Sequence, residues 1–164
     1  MVSGATHPIA GPPARYFGDS LRDRVLRWSA QAHLDEFDAL HAGAAVVPAA
    51  VVVPAALLVA QHEGRPGAAV VDAVLAGYEA VVEAGLRFGG AALYASGWWP
   101  TALFGPIGAA AATAVLLELD EERTASALAV AAAASAGCSR PAASARRTTC
   151  SPAGPPPTAS RRRT

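Results

Sequence analysis

Apolar residues recur at helical spacing along most of this chain, and the valine runs never alternate with polar residues as a half-buried strand requires. Leu21, Val25, Trp28, Ala32 and Phe37 fall roughly on one stripe. That stripe predicts a helix capped by Asp19-Ser20, beginning near Leu21 and running toward Leu40. Nineteen residues without a charge follow, Ala42 to Ala60. Their two prolines suggest an extended approach, then a buried helix, Ala55–His62, with Pro54 in its first turn. Glu63–Gly67 is a turn by composition. From Ala68 to Phe88 the pattern is amphipathic, with Val70, Val71, Val74, Leu75, Tyr78, Val81, Val82 and Leu86 on the expected core face, and Gly89-Gly90 stops it. Leu93–Gly108, rich in aromatics and glycine, reads as a loop. Helices are expected again over Pro106–Leu119 and from Glu121 to about Ser135, separated by the acidic turn at Asp120. The fold class is therefore all-α, a helical bundle over residues 19–137 after an irregular, proline-rich lead-in, 1–18.

Composition changes this picture at the C-terminal end. Residues 138–164 contain no Val, Ile, Leu, Met, Phe, Trp or Tyr, but five prolines and six arginines. Such a segment cannot bury enough surface to offset its ordering entropy, so a disordered tail is expected. The net charge of zero hides an asymmetry. All 13 acids and seven arginines fall in 1–137, leaving that part at −6, and the tail carries +6. The tail has no aromatics to stack on bases, so nucleic acid is not the expected partner. Every cation in the chain is arginine. With the abundance of Ala, Gly and Pro, this suggests a GC-rich gene, and the abrupt change after Gly137 is the pattern a shifted reading frame would give.

Cys138 and Cys150 both fall in the tail and lack zinc-site spacing. The run Ala42–Ala60 is long enough to raise the question of a membrane span. Its alanine content and its interruption by Pro48 and Pro54 argue for a buried segment instead. Met1–Gly18 has neither a basic start nor an apolar centre, which makes the cytoplasm the expected compartment.

Chemistry-bearing residues concentrate in His33, Asp35, Glu36, Asp38 and His41. On a continuing helix Asp38 and His41 lie one turn apart, and a carboxylate there can orient an imidazole for general acid/base work. The same residues also suit a solvated helix end. A second group, Ser96-Gly-Trp-Trp-Pro-Thr101 with Gly105 and Gly108 behind it, could offer free backbone N–H groups to an anion, with Trp98 and Trp99 as pocket walls. It could equally be a packed loop with buried tryptophans. No metal cluster, phosphate-binding glycine motif or Ser-His-Asp elbow is present.

Five segments in register, Glu36-Phe-Asp-Ala-Leu-His41, Val51-Val-Val-Pro-Ala-Ala-Leu57, Ala76-Gly-Tyr-Glu79, Gly97-Trp-Trp-Pro-Thr101 with Gly108-Ala-Ala-Ala-Ala, and Leu119-Asp120, resemble the MmgE/PrpD family over roughly residues 25–137. That family includes 2-methylcitrate dehydratase and cis-aconitate decarboxylase. The resemblance implies a helical domain followed by a smaller second one, and cofactor-free, metal-free lyase chemistry on small polycarboxylic acids by a homodimer. It implies Asp38 and His41 as the acid/base pair, with Glu36, Trp99 and Thr101 toward the substrate. The departures are specific. Ala39 replaces the second Asp of an Asp-Asp pair, and Trp99 stands where a later histidine is usual. Two registers are open: either Pro54 is the family proline and a second histidine is missing, or Pro48 is that proline and His41 is the second histidine. The family's downstream lysine and second domain are not found. The chain is accordingly expected to be a truncated, inactive member, with a non-catalytic helical module that pairs with another chain as the alternative.

Overall fold

The computed structural model describes residues 18–34 and 36–135. The expectations for the lead-in before Gly18 and for the 138–164 tail fall outside that range. Six helices follow one another among the described residues, and no strand occurs there: α1 Leu21–His33, α2 Ala49–Glu63, α3 Gly67–Arg87, α4 Gly90–Ala95, α5 Pro100–Leu116 and α6 Glu121–Ala133. The all-α bundle is as the sequence predicts.

The first helix starts where its cap requires. Ser20 Oγ accepts from the Asp23 amide at 3.1 Å and donates to the Asp23 carboxylate at 2.7 Å, satisfying a first-turn donor. It ends at His33, well before Leu40, and Phe37 is 98% exposed. The chain from Glu36 to Pro48 is instead a loop closed by a one-residue antiparallel bridge between His41 and Val46.

The second helix differs from expectation in the other direction. It begins right after Pro48, and Pro54 sits inside it. Proline removes one backbone hydrogen bond from a helix interior. Burial outweighs that loss here, because Ala50, Val52, Pro54, Ala55, Ala56, Leu58 and Ala60 are all in the core. Gly64, at φ 65°, ends the helix in the left-handed conformation that favours glycine.

The long third helix runs almost as predicted, and Val70, Val74, Tyr78, Val81 and Val82 are buried or pack against the core as expected. The centre of its buried face, however, lies on smaller residues, and Leu86 is exposed. The buried residues are Ala73, Gly77, Val81 and Gly85, one small stripe at four-residue spacing. Val71 and Leu75 are 59% and 57% exposed. The cause is close approach to α5. A β-carbon at Gly77 would lie 2.8 Å from the Gly108 carbonyl oxygen, and one at Gly108 would lie 2.7 Å from that of Gly77. Larger residues on this stripe would push the two helices apart.

The predicted loop 93–108 is mostly helical. A short α4 precedes the turn Ser96–Trp99, and α5 starts at Pro100, whose missing N–H costs nothing at the first helical position. Pro106 lies inside α5, and Gly105 packs against Val51. Asp120 caps α6, accepting from the Arg123 amide at 2.8 Å.

Candidate functional site

The end of α1, the 36–47 loop and the turn before α5 enclose an open cleft of about 750 Å³. It is lined by His33, Glu36, Asp38, Leu40, Ala42, Ala45, Val47, Tyr94 and Trp99. The loop is held on its inner side by close packing. Ala44 is fully buried between Gly85 and Gly90, and a β-carbon on either glycine would overlap it. On the side toward α5, Thr101 Oγ1 accepts from the Val47 amide at 2.9 Å. Two non-glycine residues of the cleft wall adopt left-handed backbone, Glu36 at φ 48° and Ala45 at φ 53°. Such strain costs on the order of 1 kcal/mol or more each and persists where the surroundings enforce it.

Inside this frame the acid/base residues pair differently from a continuing helix. The Asp38 carboxylate, 8% exposed, meets His33 rather than His41, with Nδ1 to Oδ2 at 2.9 Å. The His33 imidazole in turn stacks on Trp99, ring centroids 5.3 Å apart at 29°. His33 Nε2 is buried with no hydrogen-bond partner among the described residues. The reason is the early end of α1: once the chain leaves the helix, a carboxylate five residues on can fold back over its last residue.

His41 is exposed and does not line the cleft. Its Nδ1 accepts from the Ala44 amide at 3.1 Å, so its ring braces the loop. Glu36 faces the cleft, its amide donating to the His33 carbonyl at 3.1 Å. Trp99 forms part of the wall, as the sequence suggests; Trp98 does not. Thr101 is buried behind the wall, and its hydroxyl oxygen is taken by Val47. Gly105 and Gly108 belong to α5 and serve helix packing, so they offer no anion-binding loop. Asp35 lies outside the described residues.

Tyr78 on α3 stands near the same carboxylate. Burial pushes its phenol above the usual range, and the negative charge of Asp38 adds to the shift. Tyr78 is therefore a neutral hydroxyl at ordinary pH. The His33–Asp38 pair was beyond sequence reasoning because five-residue spacing is not a helical neighbour relation. Once the helix end is known, two complementary groups at that distance become a signal.

Among the described residues, no group of three or more His, Cys, Asp or Glu side chains is placed to hold a metal ion. No helix there is long and apolar enough to cross a membrane.

Comparison with curated proteins finds no match. The family model described as MmgE/PrpD N-terminal domain matches residues 25–161, a span that contains every cleft residue and runs past Gly137. With most of its length matched, cleft included, this chain belongs to the MmgE/PrpD family.

Proposed function

We propose that the chain contributes the helical acid/base half of a cofactor-free lyase for small polycarboxylic acids of the 2-methylcitrate type. The observation that supports this reading is a carboxylate–imidazole pair in the wall of an open cleft, in a chain of this family. In such a reaction a base takes the proton from the carbon next to a carboxylate. The electron pair forms the C=C bond, and the hydroxyl on the neighbouring carbon leaves with a proton as water. Asp38 is suited to the proton-abstracting role. Glu36 faces the same space and Trp99 shapes it, whereas His41 and Thr101 serve the reaction by holding the loop.

The chain alone is proposed to be inactive. A polycarboxylate needs cations, most often bidentate arginines, to be held. Among the described residues, the cleft lining contains two carboxylates and no arginine, and the sequence has no lysine. Positive charge supplied by a second copy would fit a homodimer. The test is an assay of the purified full chain with 2-methylcitrate, paired with a nuclear magnetic resonance titration using citrate. No turnover above background is expected, and citrate should shift the Trp99 and Tyr94 resonances only weakly, at high concentration, because the described cleft lining carries no cation. Turnover that His41→Ala abolishes would overturn the inactivity, and an unperturbed cleft would overturn the substrate reading.

The alternative, a non-catalytic module that pairs with another chain, is favoured by one observation. Val71 and Leu75 form an exposed apolar row on α3. Self-association that Leu75→Arg disrupts, without any response of the cleft to citrate, would select it.

A further inference from the structure

We propose that His33 is a positioning residue, which fixes Asp38 as the proton-accepting group of the cleft. The inference rests on the lyase reading above for its purpose, and on geometry alone for its substance.

Asp38 sits in an otherwise exposed stretch, with Glu36, Phe37, Ala39 and Leu40 all open to solvent. Its own carboxylate is nevertheless 8% exposed. A carboxylate so placed requires a donor, or its burial is strongly unfavourable. The hydrogen-bond donor the described structure supplies is His33 Nδ1, 2.9 Å away. The imidazole is itself immobilised. Its backbone is the last residue of α1, and its ring is stacked against Trp99 at the start of α5. Trp99, His33 and Asp38 thus form a line in which an aromatic wall holds a ring and the ring holds a carboxylate.

The same geometry decides which member of the line meets a substrate. Donation to Asp38 puts the His33 proton on Nδ1, so the lone pair of the neutral ring is on Nε2. That nitrogen is sealed from solvent. A ligand in the cleft therefore does not reach the basic nitrogen of His33. Asp38 accepts the imidazole N–H hydrogen bond on Oδ2 and stays a carboxylate, which leaves Oδ1 for the substrate's acidic C–H. His41 cannot substitute, because its Nδ1 accepts from Ala44 and its ring is outside the cleft lining.

The experiment uses the full chain labelled with ¹⁵N and ¹³C. Two-bond ¹H–¹⁵N correlation of the imidazoles is expected to show neutral His33 protonated at Nδ1. An Nε2-protonated ring would overturn the proposal without any variant being made. Two substitutions then separate the roles. His33→Asn keeps a donor near Nδ1 and should preserve the Asp38 carboxyl ¹³C shift. His33→Phe keeps the ring and should lose that shift. If His33→Phe left Asp38 unchanged, the ring would serve packing only. If His33→Asn failed as fully as His33→Phe while both proteins stayed folded, donation from Nδ1 would not be what positions Asp38. Either result rejects the positioning role. These readouts need no ligand, so a failed citrate titration would remove the lyase reading while leaving this result standing.

Discussion

Gly90 lies so close beneath Ala44 that a β-carbon on it would fall 1.8 Å from the Ala44 carbonyl oxygen. The start of α4 and the loop that carries Asp38 are therefore in backbone contact, and the cleft depends on the absence of a side chain at one position. Gly90→Ala should force the loop outward and destabilise the fold by about 1–3 kcal/mol, the usual cost of overpacking. A lower melting temperature together with shifted Trp99 resonances is the expected result. Gly67→Ala, where a β-carbon would meet nothing within 4 Å, should leave the cleft unchanged.

Thr101 holds the far side of the same loop through the Val47 amide. Thr101→Val keeps the shape and removes the acceptor, which should cost about 1–3 kcal/mol for a donor left unpaired. Amide exchange at Val47 should accelerate, and Thr101→Ser should restore protection.

The narrow buried stripe of α3 makes a contrasting pair of predictions. Ala73 is fully buried, so Ala73→Leu should destabilise by about 1–3 kcal/mol through overpacking. Leu75→Ala, at a half-exposed site, should cost less than about 1 kcal/mol. Chemical denaturation of the two variants checks this; equal losses would mean that Leu75 is as buried as Ala73.

Tyr78 gives the fold a pH limit on the alkaline side. Its phenol is raised above the ordinary value by burial, then by Asp38. A proton held more tightly in the folded state stabilises it fully below the unfolded pKa. That contribution is lost as pH rises through the folded value, above about pH 10. Absorbance titration should show one tyrosine ionising late, and Asp38→Asn should bring it earlier.

Glu118 acts on the acid side. Hydrogen bonding and charge from Arg65 hold its carboxyl below the usual range. The contribution is present above the unfolded carboxylate pKa and disappears as pH falls through the lowered folded value. Because Glu118 is exposed, the effect should be small and salt-sensitive. Acid melting curves of Glu118→Gln should converge with wild type at low pH and separate at neutral pH.

Helix class, the amphipathic span that became α3, the acidic cap of α6 and the family itself were legible in the chain, because each is a local pattern of residue types. So was the concentration of carboxylates and imidazoles between His33 and His41. Three things depended on contacts distant in sequence. The face of α3 that is buried was decided by Gly77 meeting Gly108, where close backbone approach outweighs the larger side chains nearby. The extent of α2 was decided by burial on all sides, which tolerates Pro54 inside a helix. The pairing of Asp38 with His33 required α1 to stop and the loop to be pinned by Ala44 on α3 and α4 and by Val47 on α5. Periodicity describes what a segment can bury; only the partner segments determine which face is buried and where the chain must turn back.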